Sequence, residues 1–147
     1  MASSKTMLKL EGFEELYKQI EAAGGKIDQA AERCMRESAQ IMQTELKTQM
    51  QEKGVKGSLI NRMPEPTITK TANTIYAEVG YEKGDFDPKN PSDGYKVVFI
   101  NYGTPRRTKH GKVKARGFIQ KAKEDASKKI KKAQQNTLNT ILEELTK

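Results

Sequence analysis

Apolar positions along this chain recur mostly at helical spacing. Phe13, Leu16, Tyr17 and Ile20 fall three or four residues apart, which predicts one buried face of a short helix over about 12–23. Gly24-Gly25 closes it, because glycine accepts the left-handed backbone that ends a helix. A longer helix over about 27–53 follows from Ile27, Ala31, Cys34, Ser38, Ile41 and Glu45, a near-heptad line flanked by Ala30, Met35, Met42 and Leu46. Asp28 can cap its start or load its first turn with negative charge. Small residues dominate the first half of that line, so a neighbouring helix or sheet can approach closely there. Packing on the chain's own sheet is favoured over a Met-lined groove for a partner. Gly54 stops the helix, and 54–66 (GVKGSLINRMPEP) reads as irregular, with Ser58-Leu59-Ile60 as a short turn or the start of a strand.

The period then drops to two. Strands are predicted over about 67–71 and 74–81, joined by a turn at Ala72-Asn73, with Ile75, Ala77 and Val79 alternating in the second arm. Such alternation implies an antiparallel sheet covered on one side. Residues 82–94 (EKGDFDPKNPSDG) form a long surface loop that can reach a neighbouring subunit. Its Asp85, Asp87, Asn90 and Asp93 lack the spacing and terminal Glu of a calcium loop. In 95–102, Val97, Val98, Phe99 and Ile100 are consecutive β-formers, which predicts a central strand covered on both faces. Gly103-Thr104-Pro105 turns the chain into a basic loop over 104–115. A last helix over about 117–145 carries Ile119, Ala122, Ala126, Ile130, Ala133, Thr137, Ile141 and Leu145 on one face, with Phe118 at its mouth. At 1.5 Å per residue it spans roughly 40 Å, more than a small sheet covers, so part of it should project or pack on another chain. The fold class that results is α+β: a small, mainly antiparallel β-sheet packed against a long N-terminal-half helix, with a long C-terminal helix, in a single domain over 1–147.

Composition changes this picture in two ways. With 35% hydrophobic residues, 31% charged residues and no Trp in 147, the core is thin. The chain therefore reads as elongated and helix-rich, completing part of its burial against other subunits, or as one that orders on binding. Charge is also unevenly placed. Between 104 and 132 twelve Lys or Arg face two acids, an excess of ten positive charges in a chain of net +8. The basic character is local.

The residues supply little for catalysis. Cys34 lies in a helical pattern and is expected to be a buried, inert thiol, while His110 lies in the basic loop; together they are too few for zinc. Nothing brings a nucleophile and a base together, and the acids are scattered over wet helix faces. The expectation is therefore no enzyme, no cofactor and no metal. No segment has signal-peptide or membrane-spanning character, so the protein should stay in the cytoplasm of the cell that makes it.

Two short motifs carry more information, Asn101-Tyr102-Gly103-Thr104 and Ala115-Arg116-Gly117-Phe118. In the order helix, long helix, Gly-containing segment, hairpin, strand, basic loop, long helix, the chain resembles the tail-completion (head–tail joining) proteins of long-tailed bacteriophages. The resemblance implies a structural virion protein of the tail and neck, assembled in the bacterial host cytoplasm. It implies a homo-oligomer, a hexameric ring, that completes the tail and joins it to the portal or connector. Its partners would be tail-tube or tail-terminator and head-connector proteins, with DNA passing through the channel without sequence-specific binding and no membrane involved.

Candidate subunit or partner contacts are Tyr102, Gly103, Thr104, Arg106, Arg107, Lys109, Lys112, Lys114, Arg116 and Phe118. A structural reading stands beside the interface one. Gly103 permits a sharp turn, Thr104-Pro105 halts a strand, Phe118 pins the helix start under the sheet, and Arg116 faces out to an acid or a carbonyl. The loop over 106–114 is expected to order on docking. The alternative function is a basic nucleic-acid-binding module using 104–132, gaining affinity by displacing counterions from phosphates. Apart from Phe118, no aromatic is interleaved there for base stacking, so docking on an acidic protein neighbour is favoured over direct DNA binding.

Overall fold

The structure, a computed structural model, describes residues 13–71, 74–82, 84, 89–104 and 113–147, and the backbone of 6–8. Its elements are β1 (Thr6–Leu8), α1 (Glu14–Ala22), α2 (Ile27–Glu52), α3 (Gly57–Asn61), β2 (Thr67–Lys70), β3 (Ile75–Val79), α4 (Asp93–Tyr102) and α5 (Phe118–Thr146). The class is α+β, as the pattern implied.

Two long helices form the frame. Along the α2–α5 seam, Gln49 pairs with Asp125, Glu45 with Lys129, Ser38 with Gln134 and Glu37 with Thr137. Numbers rise on one helix as they fall on the other, so the pair is antiparallel. Ser38 and Gln134 are buried in the middle of the seam. Ser38 Oγ donates to the Cys34 carbonyl at 2.7 Å, and Gln134 Nε2 donates to Ser38 Oγ at 3.0 Å. A one-turn slip would leave these buried groups without partners, so the pair fixes register as well as packing.

The sheet lies against α2 in the order β1-β3-β2, with both pairings antiparallel. Ala77 and Val79 of the central strand point into the main core. There they meet Met35, Met42, Leu46 and Met50 of α2 and Phe118, Ile119 and Ala122 of α5. The hairpin is closed by Thr71 and Thr74, whose backbone groups pair at 2.8 Å. Residues 72 and 73, expected as its turn, lie outside the described residues.

A second cluster holds Phe13, Ile20, Ala30, Cys34 and Leu138, with Leu16, Tyr17, Ile141 and Leu142 packed on it. The predicted face of α1 thus covers the C-terminal part of α5. Packing within the chain accounts for most of the length of α5, and only its last turn is fully exposed.

Three sequence expectations need correction. Residues 95–102, predicted as a central strand, are helical: α4 begins at Ser92, whose Oγ accepts from Tyr95 N–H, and carries Asp93 in its first turn. Its buried residues Gly94, Tyr95, Val97, Val98 and Asn101 each have a buried neighbour three or four positions along. A short apolar run covered on most sides has no readable period, so β-branched content misleads there. Within 54–66, expected to be irregular, 57–61 make the single-turn helix α3, held because Tyr81 OH donates to the Leu59 carbonyl at 2.6 Å. β1 was not foreseen at all. Of the 82–94 loop, 83 and 85–88 lie outside the described residues, and 93–94 belong to α4.

Candidate docking site

The two sequence motifs meet in space. α4 ends at Tyr102, and the chain returns at Val113 to run antiparallel to that end before entering α5. Thr104 N–H donates to the Val113 carbonyl at 3.0 Å, and Val113 N–H donates to Thr104 Oγ1 at 2.9 Å. Arg116 N–H donates to the Ile100 carbonyl at 3.1 Å, and Gly117 N–H to the Asn101 carbonyl at 3.0 Å. Together these bonds clasp the base of the segment 105–112.

Asn101 is the pivot of the clasp. It is 1% exposed. Its Oδ1 accepts from Ile119 N–H at 2.8 Å and its Nδ2 donates to Gln120 Oε1 at 3.1 Å. The first amides of α5 have no intrahelical acceptor, and Gly117 at the N-cap has no side chain to supply one. Asn101 supplies it from another helix, so the end of α4 and the start of α5 are capped as one unit.

The glycines serve the same geometry. Gly103 has φ 76° and ψ 178°, a region open essentially to glycine alone. A Cβ on it would lie 2.8 Å from Ala115 N and 2.9 Å from the Val113 carbonyl oxygen. Gly117 is left-handed at φ 62°, with open space where a Cβ would be. The first glycine allows two backbones to touch, and the second only turns the chain.

Beside the clasp lies a cleft of about 520 Å³ bounded by the α2–α3 connection, α4 and Val113. Lys56, Arg62, Lys96 and Arg116 line it. Arg116 donates to the Lys53 carbonyl at 3.1 Å, tying the clasp to the end of α2. Arg62 makes two hydrogen bonds to Asp93, at 2.9 and 3.1 Å, and Lys96 stands 3.9 Å from the same carboxylate. The Arg62 hydrogen bond, with the charges of Arg62 and Lys96, holds the Asp93 carboxyl below its ordinary value and outweighs burial.

Of the residues singled out from sequence, Gly103, Thr104, Arg116 and Phe118 are brought together by the clasp. Phe118 is fully buried in the main core and serves packing. Tyr102 is 40% exposed on the outer side, and Lys114 is also exposed. Arg106, Arg107, Lys109 and Lys112 lie outside the described residues. Asn101 lies in the first motif, and its inward place one turn on from Val97 and Val98 emerges only once 95–102 is known to be helical. Lys56, Arg62 and Lys96 come from segments with no basic run and left no signal.

Among the described residues the arrangement presents hydrogen-bonding backbone and cationic side chains. Cys34 is fully buried and its thiol is pushed up to about 11, first by burial and then by Glu37. It therefore stays protonated and unreactive at neutral pH. Among the described residues no three His, Cys, Asp or Glu side chains cluster as metal ligands, and no helix is long and apolar enough to cross a membrane. Compared with protein-family models, curated proteins and solved structures, the chain matches none.

Proposed function

We propose that the chain is a structural subunit of the neck of a tailed phage or phage-tail-like particle, not an enzyme. Copies would assemble into a ring, hexameric in the simplest form, that completes the tail and joins it to the portal or connector. The observation that carries the reading is the clasp. Asn101-Tyr102-Gly103-Thr104 and Ala115-Arg116-Gly117-Phe118, the motifs on which the resemblance rests, hold the base of the basic 105–112 segment on a rigid mount made by α4, α5 and the end of α2. Docking residues next to a fixed mount lose less freedom on binding, and so bind more tightly for the same contacts. Placement in the virion, assembled in the host cytoplasm, follows from the same reading. The test is the mass of the purified protein alone and mixed with tail-tube protein.

The basic face of α5 favours a second reading. Lys123, Lys128, Lys131 and Lys132 are exposed on it, which suits a nucleic-acid-binding module. In a ring such a face could line a channel, adding affinity for phosphates without reading sequence. A salt titration with duplex DNA separates the two: no binding at low salt removes the nucleic-acid reading and leaves the ring reading intact.

A further inference from the structure

The cleft beside the clasp combines two properties. Its walls are apolar, with Val55 and Leu59 buried at the back and Phe99, Ile100 and Val113 half-exposed at the front. Its rim is cationic: Lys56, Arg62, Lys96 and Arg116 stand around it, and among the described residues no Asp or Glu lines it. Among the described residues Asp93, held by Arg62 and approached by Lys96, is the single acid these cations engage, while Arg116 donates to a neutral carbonyl. Among the described residues Lys56 has no carboxylate within ion-pair distance. The rim therefore carries unneutralised positive charge over an apolar floor.

The geometry points to a docking groove for an acidic peptide segment of a different protein, one that places a bulky apolar side chain between carboxylates. A volume of about 520 Å³ admits a few side chains, in the range of ordinary ligand clefts. The apolar residue fills the floor, and the flanking carboxylates meet Lys56 and Arg116 on one side and Lys96 on the other. Nucleic acid fits less well. Phosphates would use the rim and leave the aliphatic floor uncovered, and among the described residues lining the cleft Phe99 is the one aromatic, its ring already packed on Tyr95 with centroids 6.2 Å apart. A second copy of this chain is the competing occupant, and loss of self-association in the rim variant below would reveal it. The inference stands apart from the head–tail reading: the groove would take such a segment in any assembly.

Fluorescence anisotropy on the full chain tests this. The probes are a fluorescein-labelled peptide alternating Glu with Leu, its counterpart with Gln for Glu, and a single-stranded oligothymidine of matched charge. The groove predicts binding of the Glu–Leu peptide, at least about tenfold weaker binding of the Gln version, and weaker binding of the oligonucleotide. Lys56→Glu with Ser58→Glu changes two exposed side chains at the rim and should lower peptide affinity at least about tenfold with an unchanged melting temperature. No peptide binding, equal binding of the Gln version, preference for the oligonucleotide, or full affinity in the folded double variant overturns the groove. So would self-association that the double variant abolishes. Ring formation without peptide binding refutes the groove alone, and peptide binding by a strict monomer refutes the ring alone.

Discussion

Two glycine-to-alanine variants should behave very differently if the clasp is built as described. Gly117→Ala asks a residue with φ 62° and open space around its Cβ to become left-handed. That costs about 1–2 kcal/mol, offset by about 0.4–1 kcal/mol because alanine narrows the unfolded ensemble. The net loss is about 1 kcal/mol. Gly103→Ala faces a harsher position, with φ 76° and ψ 178° in glycine-only space and backbone atoms of Ala115 and Val113 at 2.8 and 2.9 Å from the new carbon. The backbone conformation alone costs about 1–3 kcal/mol. Because the obstructing atoms are backbone, relief requires the 113–115 strand to move away, which breaks the Thr104–Val113 pairing. A loss of about 3 kcal/mol or more follows. Urea unfolding of both variants measures the difference, which should reach at least about 2 kcal/mol. Hydrogen exchange adds a local readout: the amides of Thr104, Arg116 and Gly117 should lose protection in Gly103→Ala and keep most of it in Gly117→Ala. Losses equal within about 0.5 kcal/mol would refute the close approach.

Other outcomes follow from the same structure. Asn101→Ala leaves the Ile119 amide buried without an acceptor and should cost about 2–3 kcal/mol in urea unfolding. Gln120→Ala, which removes only the partner of Asn101 Nδ2, should cost less; equal losses would remove the capping role. Asp93 has a folded value below its ordinary 3.8, so its stabilisation is present above about pH 4 and fades as pH falls through that lower value. The stability gap between the wild type and Asp93→Asn should therefore be present at neutral pH and shrink as pH falls below the ordinary 3.8, and a gap independent of pH would contradict it. Cys34, buried with its thiol raised to about 11, should resist a thiol-specific dye in the native protein and react fully in urea; rapid native labelling would show an exposed thiolate.

How much of this was legible depended on whether a segment has one wet face. α1, α2 and α5 each present a dry stripe at helical spacing, and the β2–β3 hairpin alternates, so their types and approximate limits follow from the pattern. α4 is covered on most sides, and its Val97-Val98-Phe99-Ile100 run has no period to choose helix over strand. α3 is one turn long and exists because Tyr81 holds its carbonyl, a contact made over a distance no local pattern records. The three residues of β1 are too short to leave a signature.

The site follows the same logic. Both motifs of the clasp stood out as sequence, yet nothing local says that Asn101 caps the helix beginning at Phe118. The cleft was invisible because Lys56, Arg62, Lys96 and Arg116 come from separate segments that only the fold gathers.

We propose that this chain is an assembly subunit that docks on neighbouring protein through the basic segment between Thr104 and Val113. Native mass spectrometry of the purified chain, alone and with tail-tube protein, tests it most directly. A closed oligomer of defined copy number, binding tube protein as a ring, is the predicted result. A strict monomer at every concentration that never binds tube protein would contradict it.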